Sequence, residues 1–137
     1  MSVPEGLREE GKFALAIKAE ALARYTISIS ANEKVFLPEY QRALTDDIIT
    51  QAKNAYILIR EANDIQVKTQ RDWRERDRVQ KEAIKCLKRL LCLIDLAFKV
   101  FHLSSKRVKY WGGMVIDVRN KTAAWNRSDS SRYTFDK

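Results

Sequence analysis

The sequence predicts an all-α protein, an antiparallel up-down-up-down four-helix bundle with a short polar C-terminal tail. Three observations lead there. Apolar residues recur three and four positions apart over four long segments, the one-face repeat of packed amphipathic helices. The connections between those segments are short, which fits antiparallel neighbours. Only 4 Gly and 2 Pro occur in 137 residues, too few turn-formers for a many-stranded sandwich or barrel, and no convincing run alternates with the strand period. The length is that of one domain: residues 1–126 read as the bundle and 127–137 as the tail.

The first helix is expected from about Glu9 to Ala31, with Leu15, Ala19, Leu22, Thr26 and Ile29 on its packed stripe. Asn32 to Leu37 breaks the pattern, and Pro38 suits the first turn of a second helix, where its missing N–H costs little. That helix is expected to run to Ala62 on Leu44, Ile48, Gln51, Ala55, Leu58 and Ala62, with Gln51 a satisfied polar group in the core. Asn63 to Lys68 reads as a connection. Thr69 and Asp72 then have the spacing of an N-terminal capping pair.

The third helix is the longest, about Gln70 to Phe101. Its stripe is Trp73, Arg76, Gln80, Ala83, Leu87, Leu90, Ile94, Ala97 and Phe101, and Ile84, Leu91 and Phe98 flank it every seventh residue. His102 and Leu103 end it, with His102 placed to meet the helix dipole. Ser104 or Ser105 can cap the fourth helix, whose stripe is Val108, Trp111, Val115, Val118, Thr122 and Trp125. Gly112 and Gly113 interrupt that pattern, as a point of close helix approach or of local weakness. After Asn126 no apolar series remains, and the tail is expected to be mobile or to order on a partner.

Composition excludes several function classes. Apolar residues make up 45% and charged residues 32%, enough for a core and against whole-chain disorder. The longest uncharged stretch is Tyr25 to Asn32, far short of the roughly twenty apolar residues a membrane span needs. No basic-then-apolar leader opens the sequence, and Cys86 and Cys92 are two lone thiols, so a cytoplasmic, reducing location is expected.

The inventory for catalysis is thin. His102 is the one histidine. Glu-x-x-His pairs for a di-metal bundle are missing, and Cys86, Cys92 and His102 match no common zinc spacing. Trp111-Gly112-Gly113-Met114 lacks the strand, spacing and Lys of a phosphate loop. Most carboxylates have basic neighbours on faces expected to be solvated. No enzymatic activity, cofactor or metal is expected.

Charge is the informative property. The net charge is +8, yet residues 1–62 carry 8 Lys+Arg against 9 Asp+Glu, so residues 63–137 hold the whole excess. On the third helix Arg71, Arg74, Arg78, Lys81, Lys85 and Lys88 alternate three and four apart, opposite the packed stripe. Such a row, rising about 5 Å per turn, can track phosphates along a polynucleotide. Glu75 and Asp77 lie off it and Glu82 flanks it. Arg89 and Lys99 extend it, and Lys106, Arg107 and Lys109 continue it onto the fourth helix. Sequence-specific base reading is not indicated. Phe13, Ile17 and Ile27 fall outside the first helix's stripe. With Ile84, Leu91 and Phe98 they suggest an apolar surface that another subunit covers.

Short segments add a family resemblance. They are Asn32-Glu33-Lys34-Val35-Phe36-Leu37-Pro38-Glu39-Tyr40, Leu44-Thr45-Asp46, Ile48-Ile49, Phe101-His102-Leu103-Ser104-Ser105-Lys106-Arg107-Val108-Lys109-Tyr110-Trp111 and Val118-Arg119-Asn120. These resemble small bacterial four-helix-bundle proteins related to the accessory variability determinant of diversity-generating retroelements. The wider group includes proteins encoded in ribosomal-RNA intervening sequences. The resemblance spans roughly residues 9–133. It implies a basic homopentamer without catalytic activity. Such a protein binds a reverse transcriptase and its template RNA, or an RNA–DNA hybrid, to support mutagenic cDNA synthesis. Lys106, Arg107 and Lys109 lie within a matching segment and have the chemistry for RNA contact. The alternative expectation is a structural or protein-interaction module whose positive charge is incidental.

Overall fold

The computed structural model describes residues 5–135, with side chains from residue 11. The ends of the expected bundle and tail, residues 1–4 and 136–137, lie outside the described residues. Helix α1 spans Glu5–Ser30, α2 Asp46–Asp64, α3 Gln70–Val100 and α4 Ser105–Arg132. Each helix packs on the next in sequence, and α1 closes the square against α4. Contacts between α1 and α4 run in opposite directions along the two helices: Lys18 reaches Asp117, while Tyr25 meets Tyr110. The molecule is an all-α four-helix bundle, and the described residues form no strand.

The expected stripes of α1, α3 and α4 are buried, except that Trp73, Val108 and Trp125 are half-buried. Leu15, Ala19, Leu22, Thr26 and Ile29 of α1 meet Ala83, Leu87, Leu90, Ile94 and Ala97 of α3 and Trp111, Val115 and Val118 of α4 in one core. Thr26 and Trp111 carry polar groups into it and satisfy each other. Trp111 Nε1 donates to Thr26 Oγ1 at 3.0 Å, and Thr26 Oγ1 donates to the Leu22 carbonyl at 2.8 Å.

The α1–α2 connection plugs the end of the bundle where α3 turns into α4. Phe36 is 1% exposed, with its ring 5.0 Å from that of Phe101 and 6.1 Å from that of Trp111. Pro38 opens a 3-10 turn, Pro38–Tyr40, as its fixed φ favours. A π-helical turn, Gln41–Thr45, then leads into α2.

The phase of α2 differs from expectation. Ala52 and Ile59 are buried, whereas Gln51 and Leu58 are half-buried. Positions 51 and 52 straddle the centre of the stripe, so a three–four repeat admits either reading. Turning Ala52 and Ile59 inward buries apolar atoms in place of a carboxamide. Gln51 is not the satisfied core polar group expected: its Oε1 is buried without a hydrogen-bond partner.

Two further differences concern α4. It runs unbroken through Gly112 and Gly113, and a Cβ at either would meet nothing within 4 Å, so neither marks a close approach. It also continues through Arg132, past the expected start of the tail at 127. Its last turn is held by Asp129, which is 0% exposed.

At the α3–α4 turn, His102 takes the left-handed conformation, φ 53°, and Leu103 N–H donates to the Phe98 carbonyl at 3.2 Å. This six-to-one bond closes α3 in the manner usually given to glycine.

Candidate nucleic-acid interface

The start of α3 sets the phase of everything outward of it. Thr69 accepts from the Asp72 N–H at 3.2 Å, and the Asp72 carboxylate accepts from the Thr69 and Lys68 N–H groups, each at 3.0 Å. The expected capping pair is a reciprocal capping box. Those two backbone donors hold the Asp72 carboxyl below its ordinary value.

With this phase, Arg71, Arg74, Arg78, Lys81, Lys85 and Lys88 are all exposed on the outer face of α3. The expected single-sign row is present, but two of its members are partly neutralised. Arg78 forks onto Glu75, with Nη2–Oε1 2.6 Å and Nε–Oε2 3.2 Å. That contact lowers the Glu75 carboxyl and raises the guanidinium. Lys81 pairs with Asp77 at 3.1 Å. Glu75 and Asp77 thus reach the row although their Cα positions lie beside it. Lys99 pairs with Asp95 at 3.5 Å. Among the described residues, Arg71, Arg74, Lys85, Lys88 and Arg89 make no ion pair.

Beneath the row lies a charged network the sequence reading passed over. Arg76 is 3% exposed and Asp129 0%; Nη1 donates to Oδ2 at 3.1 Å. Arg76 Nη2 donates to the Ile65 carbonyl at 2.6 Å, and its guanidinium lies over the rings of Trp125 and Tyr133. Gln80 Nε2 also donates to Asp129, at 2.9 Å, and Arg132 donates to its other oxygen at 3.0 Å. Asn126 Nδ2 joins Gln80 Oε1 to Asp77, at 2.7 and 2.9 Å. A continuous polar path therefore links Lys81 on the surface row to the buried Arg76. Asp129 departs from the expectation that carboxylates sit on solvated faces. The available signal was Arg76 and Gln80 on the packed stripe, with Asp129 falling on α4's stripe seven residues after Thr122.

The second basic group opens α4. Ser104 Oγ accepts from the Arg107 N–H at 3.2 Å and caps the helix, whose first turn holds no acidic residue. The positive end of the helix dipole there adds to the side-chain charge. Lys106 and Lys109 are exposed and Arg107 half-buried. Beside Lys106 and Lys109 is an open hollow of 540 Å³ lined by Phe98, Ser105, Lys106, Val108 and Lys109, almost wholly apolar.

The six residues expected to bury an oligomer surface separate into two groups. Phe13 is 67%, Ile17 50% and Ile27 45% exposed, on the outer face of α1. Ile84, Leu91 and Phe98 are half-buried on α3, and the last two pack against the core. The potentially reactive groups do not converge on a site of their own. Cys86 is in the core, where burial pushes its thiol up and away from the thiolate; Cys92 is exposed, and His102 lies in the turn. Among the described residues no group of three or more His, Cys, Asp or Glu side chains is placed to hold a metal, and no helix is long and apolar enough to cross a membrane.

Comparison with known proteins gives no match among family models, curated proteins or solved structures.

Proposed function

We propose that this chain is a non-catalytic RNA-binding bundle whose basic surface holds the backbone of a template RNA, or of an RNA–DNA hybrid, for a reverse transcriptase. The observation that carries the polyanion reading is the outer face of α3. Arg71, Arg74, Lys85, Lys88 and Arg89 have no anionic partner among the described residues, and Lys106 and Lys109 continue the charge onto α4. Cations of one sign at helical spacing release counterions when a phosphate backbone binds. The reverse transcriptase, the retroelement setting and a homopentamer rest on the short segments quoted above. In this reading the exposed Phe13 and Ile17 supply the subunit contact and the protein works in the cytoplasm.

Titrating salt against binding of a single-stranded RNA tests the reading. Affinity should fall steeply as salt rises. The triple variant Lys81→Glu, Lys85→Glu, Lys88→Glu should lose binding with its helicity intact. If each lysine meets one phosphate, the three together account for about 2 of the wild type's log–log salt slope. Unchanged binding in the triple variant moves the site off α3. Co-purification with a reverse transcriptase encoded beside the gene tests the narrower assignment.

A protein-interaction module with incidental charge is the second reading. It is favoured by the exposed Phe13 and Ile17 and by the neutralisation of Arg78 and Lys81 within the chain. It predicts no RNA binding by the isolated protein.

A further inference from the structure

We propose that the hollow at the α3–α4 corner is a stacking site for one unpaired base of a single-stranded polynucleotide, with Lys106 and Lys109 meeting the phosphates on either side. The proposal rests on the polyanion reading above and narrows it. A row of cations accepts any phosphate backbone, single or double. An apolar hollow beside two cations accepts a particular kind of segment, one that presents a flat apolar face next to an anion. A nucleotide in a single strand is such a segment, because its base is free to turn out; in a duplex the base faces are hidden in the stack.

The parts are placed for this. Phe98 supplies an aromatic ring and Val108 an apolar wall, and the hollow is open to solvent and large enough, at 540 Å³, to admit a base. Lys106 and Lys109 line the same hollow and are exposed, and a lysine so placed can lay its apolar stem along the wall and keep its ammonium group in water. No acidic residue lines it. The hollow also lies further along the same helix: from Lys88 to Phe98 is ten residues of continuous helix, about 15 Å along the axis, past the Asp95–Lys99 ion pair. An acidic peptide without aromatic side chains would satisfy the lysines but leaves the ring without a flat partner, and a duplex would satisfy the row alone.

The test uses the full chain and four probes of equal length: a single-stranded RNA, the matching RNA duplex, a single strand lacking its bases, and polyglutamate. Phe98→Leu keeps an apolar side chain of similar bulk at the corner, and Lys106→Gln with Lys109→Gln removes the two lysine charges. The wild type should prefer the single strand to the baseless strand by at least about fivefold, the weaker limit for one base stacked on an aromatic ring. Phe98→Leu should lose that preference and retain its affinity for the baseless strand; the lysine variant should weaken both. Photo-crosslinks from a halogenated base should map to the peptide carrying Phe98. Thermal unfolding and light scattering on each variant separate a lost contact from a lost fold or a changed assembly. Equal affinity of the wild type for base-bearing and baseless strands overturns the proposal, as does tighter binding of the duplex or of polyglutamate. So does a Phe98→Leu variant, folded, with its preference intact. Those outcomes leave the polyanion reading standing, whereas failure of the wild type to bind any nucleic acid removes that reading as well.

Discussion

The buried pairing of Arg76 with Asp129 is the residue-scale feature with the largest energetic consequence. Two charges withdrawn from water lose solvation that their mutual attraction only partly returns. Removing one partner therefore costs more than removing both. Here the arrangement is close to complete: Asp129 accepts from Arg76, Gln80 and Arg132, and Arg76 also donates to a backbone carbonyl, although its Nε has no partner. Asp129→Ala should destabilise the bundle by about 3–5 kcal/mol, because it strands a buried guanidinium. The double change Arg76→Met with Asp129→Leu should be markedly more stable than that single variant. Chemical denaturation of the singles and the double gives the coupling directly. Singles within about 1 kcal/mol of wild type, the size of an exposed ion pair, would mean that the pair is solvated.

At the scale of the element, the helices formed by long apolar stripes were legible and their ends were less so. The stripe of α1, and that of α3 beyond Trp73, is buried as the spacing predicts, and Thr69 with Asp72 marks the start of α3. The end of α4 was not legible, because what buries its last turn is a cation 53 residues earlier in the chain. Polar residues such as Asp129 and Asn126 look like tail until Arg76 and Gln80 are placed beneath them. The phase of α2 was ambiguous for a different reason: residues one apart on either side of a broad stripe satisfy the same repeat, and packing decides between them. The glycine pair shows the converse, a strong local signal with no tertiary purpose. Gly112 and Gly113 sit in continuous helix with open space where a Cβ would be, so Gly112→Ala and Gly113→Ala should each stabilise by about 0.8–1 kcal/mol, read as a rise in thermal midpoint. A fall would place a neighbour against them. The cap of α3 adds a pH signature. Asp72 gives up its proton more readily folded than unfolded, owing to the Lys68 and Thr69 N–H groups. Its contribution is therefore present above the ordinary carboxylate range and lost as pH falls through and below it. Asp72→Asn should lower stability at neutral pH and flatten that acid-side decline; an unchanged decline would assign it to other carboxylates, Glu75 and Asp117 first, which are also held low.

For the whole molecule, the basic face was legible as a pattern and not as a set of free charges. Spacing alone placed six cations on one side of α3, but which of them are neutralised depends on how Glu75 and Asp77 reach across, a matter of rotamers rather than sequence distance. The hollow beside Lys106 was not legible at all, since it exists only where α3 and α4 meet. The row itself has a cost to the fold that bears on its purpose. Lys85 has Lys81 and Arg89 four residues away on either side and Lys88 three away, with Glu82 the single anion at comparable spacing. Like charges at these spacings destabilise a helix by about 0.2–0.5 kcal/mol each, and opposite charges stabilise it by a similar amount. Lys85→Glu exchanges three repulsions for three attractions at the expense of one, so it should raise the thermal midpoint at low salt and lose that gain as salt screens it. The same change removes an unpaired cation from the centre of the proposed RNA face and should weaken RNA binding. A variant more stable and weaker in binding is the signature of a surface whose charge serves a ligand at the expense of the fold. If Lys85→Glu lowers stability, or raises it while RNA affinity is untouched, the row is a feature of the bundle itself and the polyanion reading of α3 fails.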